Sequence, residues 1–370
     1  MTTLSATGLD ALHRRIQQEI DEGRITAAQV AIGLDGAVAE FRSFGTAADD
    51  DRFVIYSATK ALVAMSLLPH LADGSLDLTT PVARYLPEFG GQGKADVTVL
   101  QVLTMQGGFP QAILGPDRWG TSEGRRAAFA DWVLEWPAGS RTEYHPVSAH
   151  WVIAELLETL NARPYATVVH ERVVAPAGAP AMLGAAAVGR APVTVRAIGE
   201  RPVETALVEA FGRPDLVPIA SIGPGPLLSM NDPRAQAVGI PGGGGMASAA
   251  SMAAVYQHFL HNHGAALPAD WLVDAVCTVR NASLSATDGV PANRTIAGYV
   301  AGNDGYHLHR WMPATPGAFG HAGAGGQLNW VDPASGVSFS FLHDTLHDDP
   351  RVEFRRAAAL NDAVLGLVQH

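Results

Sequence analysis

The sequence predicts an α+β fold: an antiparallel sheet built from both chain termini and flanked by helices, with a mainly helical lobe inserted. Three observations predict it. Strand pairs flank turn signals near each end, helical patterns open and close the chain, and the middle carries helical patterns and loops. At 370 residues, 47% of them hydrophobic, the chain has ample core for one large domain or two lobes. The division reads as residues 1–75 and 241–370 for the sheet lobe and 76–240 for the helical lobe, with a cleft between them.

Leu9 to Glu22 places Leu9, Leu12, Ile16 and Ile20 at helical spacing and ends at Gly23. Gln29–Leu34 and Ala37–Phe41 flank Asp35-Gly36, a two-residue hairpin signal. Phe53-Val54-Ile55-Tyr56 is short and apolar and reads as extended chain. Ala61 to Leu68 is apolar on nearly all faces, continues to Leu71 and stops at Asp73-Gly74. Such a helix belongs in the core of a large domain. Ser148 to Leu160 reads as a further helix, whereas Leu183 to Pro226, rich in Ala, Val, Gly and Pro, yields no assignment. Gly326–Val331 and Val337–Leu342 flank Asp332–Gly336 as a second hairpin, and Arg351 to Val368 is helical in pattern.

The net charge is −11, with acids and bases dispersed, which argues against a nucleic-acid or anionic-membrane partner. No stretch offers the roughly twenty apolar residues of a membrane span. The first eighteen residues lack the apolar core of a secretory signal, so the expected location is the cytoplasm. Cys277 is the only cysteine, which rules out an internal disulfide; it reads as a small buried hydrophobe. His258, His261 and His263 fit a solvated helix end better than a closed ligand shell. His307 and His309 alternate as on a strand face. Pro241-Gly242-Gly243-Gly244-Gly245-Met246 lacks the lysine and hydroxyl of a phosphate loop and reads as a turn. No metal or cofactor is expected.

Only two of the 25 basic residues are lysines, Lys60 and Lys94, and one ends Ser57-Ala58-Thr59-Lys60. Arginine keeps its charge, whereas a desolvated lysine can lose its proton and act as a base. On the first turn of a helix, residues three apart are neighbours, so hydroxyl and amine share a face. A serine with a lysine as proton acceptor is a known nucleophile arrangement. Chance alone gives a serine three residues before one of two lysines about one time in eight. The greasy helix that follows favours chemistry, because its N-terminus supplies free N–H groups for developing negative charge.

Two further stretches bear on that chemistry. Trp136-Pro137-Ala138-Gly139-Ser140 makes a turn before Tyr144, just ahead of the Ser148 helix. A tyrosine close to a lysine can have its phenol shifted enough to serve as a base; otherwise Tyr144 simply covers a lobe interface. Gly320-His321-Ala322-Gly323-Ala324-Gly325-Gly326 allows close backbone approach to a ligand, or is a plain glycine-rich turn.

In this order the three stretches resemble the serine β-lactamase-like superfamily, nearest the class C β-lactamases and family VIII carboxylesterases. Phe53 to Lys60 resembles the nucleophile motif, and Leu71-Ala72-Asp73-Gly74-Ser75-Leu76 with Pro81 to Pro87 is similar to its continuation. Val97 to Gly108 resembles the Ile-Arg-x-Leu-Leu-Thr-His-Thr-Ser-Gly type run. Pro137 to Tyr144 matches the tyrosine motif, and His321-Ala322-Gly323 occupies the Lys-Thr-Gly position. The resemblance implies that Ser57 carries the acyl group and that Lys60 and Tyr144 share the base role. It implies an oxyanion hole from the amides of Ser57 and Ala324. His321 and Gly323 would border the pocket, with Gln111 at its edge.

Two departures matter. Pro146 stands where class C enzymes have the asparagine of Tyr-x-Asn, and His-Ala-Gly replaces Lys-Thr-Gly, removing the fixed cation and the hydroxyl. A neutral or partly protonated His321 is a weaker clamp for a β-lactam carboxylate. The resemblance therefore implies an esterase acting on small-molecule, short-acyl carboxylic esters. A β-lactamase, a D-alanyl peptide or amide hydrolase and an acyltransferase are the enzymatic alternatives. A binding protein on a decayed hydrolase fold is the other class.

Overall fold

Asp35 and Gly36 both take positive φ, 53° and 82°. That conformation matches the strand twist and folds the chain tightly back on itself. The computed structural model describes residues 3–187, 191–211, 224–261, 267–303 and 315–369. Helix α1 (Ala6–Asp21) starts at Ser5, whose hydroxyl accepts from the Gly8 N–H. The hairpin of β1 (Ala27–Leu34) and β2 (Ala37–Gly45) follows.

The greasy stretch after the nucleophile motif does not form one helix to Leu71. It splits into α2 (Thr59–Met65) and a short helix at Leu68–Ala72. Pro69 has no N–H to continue the ladder and sits instead in the first turn of the second piece. Helix α3 (Ser148–Asn161) runs as its spacing predicts, and α4 (Ala249–His261) follows the glycine-rich turn. The C-terminal part adds β3 (Tyr299–Val300), β4 (Phe319–Gly320), β5 (Leu328–Asp332), β6 (Val337–His343) and α5 (Pro350–Leu365).

These strands form one sheet in the order β2-β1-β6-β5-β4-β3, each pair antiparallel. The two ends of the chain thus meet at the β1–β6 pairing. On one face Val30, Ile32, Phe339 and Phe341 pack with Leu12 and Ile16 of α1 and Leu360 of α5. The other face is kept small so that α4 can lie close. A Cβ on Gly33 would come within 2.4 Å of Gln257 Cγ. Gln257 in turn accepts from the Gly36 N–H at 2.8 Å and donates to the Gly336 carbonyl at 2.9 Å. One buried amide therefore ties both hairpin turns to α4.

The unassigned stretch contains a strand, Arg196–Ile198, that pairs in parallel with Thr345–His347 beyond the sheet. Cys277 ends the helix Ala269–Cys277, half-buried, its thiol pushed up to about 12 by burial. His258 and His261 lie in the last turn of α4. His263, His307 and His309 fall outside the described residues. No described helix is long and apolar enough to cross a membrane.

Candidate active site

Phe53 and Val54 form a short strand against Met246 and Ala247, but the extended run ends there. Tyr56 takes φ 45°, a left-handed conformation uncommon outside glycine. It turns the chain so that Ser57 lies in a 3-10 turn (Tyr56–Ala58), just before α2 rather than in its first helical turn. Thr59 fastens this turn: its hydroxyl donates to the Tyr56 carbonyl at 2.6 Å and accepts from the Gly245 N–H at 2.9 Å. Three residues after Ser57, Lys60 still falls on the same side.

Lys60 is only 1% exposed. Its Nζ lies 3.2 Å from Ser57 Oγ, 2.6 Å from the Pro146 carbonyl and 2.5 Å from the Gly242 carbonyl. The phenol of Tyr144 lies 2.8 Å from the same Ser57 Oγ. Burial pulls the Lys60 amine below the ordinary lysine range, with Tyr144 acting against it and Arg294 with it. Burial alone would raise the Tyr144 phenol; the charges of Lys60 and Arg294, with its hydrogen bonding to Lys60 and Ser57, reverse this and lower it. The second lysine, Lys94, is buried elsewhere and donates to the Gly91 and Trp132 carbonyls.

The Tyr144 loop is held from the far side of the chain. Its N–H donates to Thr287 Oγ1 at 3.0 Å, while Asn281 donates to the Thr104 carbonyl and Thr142 Oγ1. Gly323 brings the third stretch against the nucleophile segment, since a Cβ there would lie 2.3 Å from the Ile55 carbonyl oxygen. Among the described residues the N–H groups of Ser57 and Ala324 have no hydrogen-bond partner. Both residues line a cavity of about 360 Å³, as do Tyr144, Pro146, His321 and Gly323.

Gln111 departs from this set. It is exposed, its N–H is bound to Glu135 Oε1 at 2.9 Å, and it lies outside the cavity wall. That hydrogen bond anchors its backbone to the loop after residue 131 rather than to the cleft.

The expected loss of a fixed cation is also corrected. Arg294 lies over the Tyr144 and Tyr299 rings, 5.2 Å from each centroid, and its Nη1 is 3.2 Å from His321 Nε2. The partners fix the histidine's state. Arginine only donates, so Nε2 accepts; the Ala322 carbonyl, 2.8 Å from Nδ1, only accepts, so Nδ1 carries the proton. His321 is neutral, and burial with the charges of Arg294 and Lys60 holds it well below the ordinary histidine range. Sequence reasoning missed Arg294 because it lies 27 positions before His321, in no recognised motif. Among the described residues no cluster of His, Cys, Asp and Glu side chains fits a metal ion.

A serine hydroxyl shared by a buried lysine amine and a tyrosine phenol, beside two free amides, is the constellation of a serine hydrolase. The Beta-lactamase family model matches residues 12–363, and the chain belongs to that family. It is 27% identical over 322 residues to the Esterase/beta-lactamase LipL of Mycobacterium tuberculosis (strain ATCC 25618 / H37Rv), covering 80% of this chain and 70% of LipL. Its fold is similar to that of a penicillin-binding protein homologue from Caulobacter crescentus, with TM-score 0.77, 22% identity and 99% of each chain covered. It is similar also to a family VIII carboxylesterase, with TM-score 0.76, 20% identity and 99% of each chain covered. At these identities the structural likeness is one of fold.

Proposed function

We propose that this chain is a carboxylesterase that cleaves short-acyl esters through an acyl-enzyme on Ser57. The observation that carries the reading is the single Ser57 oxygen within hydrogen-bond reach of both Lys60 and Tyr144. The Lys60–Tyr144 pair takes the hydroxyl proton as Ser57 Oγ bonds to the acyl carbon. The amides of Ser57 and Ala324 receive the developing oxyanion. The bond to the alcohol oxygen then breaks, and that oxygen takes the proton from the pair. Water attacks the acyl-enzyme in the second half, the pair again accepting its proton, which frees the acid and restores Ser57.

The ester, rather than lactam, preference rests on Pro146, which offers no side-chain amide to grip an acylamino group. The name of LipL joins both activities. Residues 1–75 with 241–370 as one lobe and 76–240 as the other set this cavity between them in the same reading.

The test is p-nitrophenyl butyrate hydrolysis by the wild type beside Ser57→Ala, with intact mass after incubation with penicillin. Turnover that disappears in the variant supports the esterase. Turnover that survives removes Ser57 from the chemistry. No ester turnover, with a penicillin adduct on Ser57, moves the assignment to lactam or peptide acylation.

A further inference from the structure

We propose that Tyr56 is a specificity-determining residue: its ring is the far wall of the acyl pocket and confines the enzyme to short aliphatic acyl chains. This rests on the esterase reading and adds the residue that sets the limit. The starting observation is backbone strain beside the nucleophile. Among the described residues Tyr56 is the only aromatic one with positive φ, at 45°. A bulky side chain there costs free energy that glycine avoids, and such a residue persists only where its surroundings hold it. The Thr59 hydroxyl holds the Tyr56 carbonyl, but it would hold a glycine as well and does not explain the ring.

The ring has a setting of its own. It lies in a small apolar cluster with Val54, Val195 and Leu346, against which Leu227, Met230 and Ala324 pack. Its hydroxyl donates to the Leu227 carbonyl at 3.3 Å, which ties the ring to the segment facing it. Burial, with Glu353 adding to it, holds the phenol above its ordinary range, so it stays a donor and takes no part in proton transfer. Tyr56, Leu227, Met230, Leu346 and Ala324 all line the cavity.

The chemistry decides which part of the substrate meets that ring. Ser57 Oγ, the oxyanion and the leaving oxygen take three of the directions about the reacting carbon. The oxyanion goes to the Ser57 and Ala324 amides, and the leaving oxygen to the Lys60–Tyr144 pair. The Pro146 and Gly242 carbonyls crowd Lys60, so that flank belongs to the pair as well. The acyl chain is left the flank of Tyr56, Leu227 and Leu346. Past Leu346 the wall turns polar with Arg201, His347, Asp348 and Glu353, where a methylene chain finds no apolar partner. A chain that outgrows the apolar stretch therefore meets either the Tyr56 ring or polar side chains.

The test measures kcat/KM for p-nitrophenyl butyrate and octanoate in wild type, Tyr56→Gly and Leu227→Ala, each checked for folding by circular dichroism. Glycine suits φ 45°, so Tyr56→Gly relieves the backbone while it removes the ring. The space it vacates exceeds what octanoate adds to butyrate. The two substrates share a leaving group, so any loss from a displaced Ser57 cancels in their ratio. Wild type is expected to prefer butyrate by about tenfold or more, Tyr56→Gly to shrink that preference by about tenfold or more, and Leu227→Ala to shrink it by less. A wild type that takes octanoate as readily overturns the proposal, as does a preference that survives in folded Tyr56→Gly. If that variant does not fold, a preference unchanged in Leu227→Ala overturns it. Propyl- and heptylboronic acid separate this from the parent reading. Boron accepts Ser57 Oγ, whose proton passes to the Lys60–Tyr144 pair, and the alkyl group takes the acyl position without any ester. A calorimetric preference for the propyl acid that Tyr56→Gly removes, in a protein with no ester turnover, keeps the pocket and sinks the esterase. Equal binding of both acids by an active wild type sinks the pocket alone. Binding of neither, with no turnover, sinks both.

Discussion

The Nζ of Lys60 stands 5.0 Å from the centre of the Tyr144 ring, and the two heads share Ser57 Oγ. Lys60 faces three acceptors: Ser57 Oγ and the Pro146 and Gly242 carbonyls. As an ammonium it fills all three with N–H groups. As a free amine it fills both carbonyls and turns its lone pair to Ser57. Either form leaves every partner satisfied, so one proton can pass between amine and phenol without breaking the frame. The pair titrates as a unit.

Removing either member should therefore cripple turnover without unfolding the chain. Lys60→Met and Tyr144→Phe are each expected to lower kcat/KM for p-nitrophenyl butyrate by about 10²–10⁴-fold. In wild type the rate should rise with pH as the pair gives up its proton. Because the phenol is lowered, that rise should come below the free phenol value of about 10. The pH–rate profile checks this: a rising limb that persists unmoved in Tyr144→Phe takes Tyr144 out of the base role.

Gly323 makes a second prediction. A Cβ there would meet the Ile55 carbonyl at 2.3 Å, two residues before the nucleophile, and backbone cannot swing away as a side-chain end can. Gly323→Ala should cost about 1–3 kcal/mol in urea unfolding and lower kcat by pushing Ala324 from its place facing Ser57. Wild-type stability with wild-type kcat would mean the two segments are not in contact.

Much of this was legible in the sequence where the determinants are local. Asp35-Gly36 announces its hairpin because two residues set the turn, and α3 follows from spacing alone. Ser57 and Lys60 lie within one short span, so their meeting needs no tertiary knowledge. Tyr56 shows the limit: an apolar run reads as strand, while the contacts of Thr59 with Tyr56 and Gly245 hold it left-handed. Arg294 was illegible for a different reason. It meets Tyr144 only once the β3 edge folds back against the loop before α3, a contact spanning 150 positions. No periodicity encodes that. Arg196–Ile198 likewise becomes a strand only because Thr345–His347 is there to pair with it.

Thr59 yields a third prediction from that same turn. Its hydroxyl is fully buried and serves one acceptor and one donor. Thr59→Val keeps the shape, strands the Gly245 N–H and leaves the Tyr56 carbonyl without its hydroxyl donor, only the Thr59 backbone N–H remaining. The expected loss is about 1–3 kcal/mol, with kcat falling more than KM changes. Thr59→Ser should recover most of both. A larger loss in Thr59→Ser than in Thr59→Val would point to the methyl group rather than the hydroxyl.

The last prediction concerns Glu353, in the first turns of α5 at the cavity wall, where its carboxylate accepts the His347 N–H at 3.0 Å. Burial raises it to about 7 from 4.5; Arg356 and the His347 N–H oppose this, while Asp348 and Asp349 add to it. A raised value means the folded chain holds this proton more tightly than the unfolded chain. The stability it contributes is complete below about pH 4.5 and is lost as pH rises through 7. Glu353→Gln keeps the side chain neutral throughout. Between pH 5 and pH 8 the wild type should lose about 2 kcal/mol relative to the variant, less than the full shift implies because the side chain opens onto the cavity. Urea unfolding at the two pH values reads this directly. Parallel pH dependence in both proteins would show that Glu353 ionises as freely in the fold as in the unfolded chain, and that the cavity wall around it is wet.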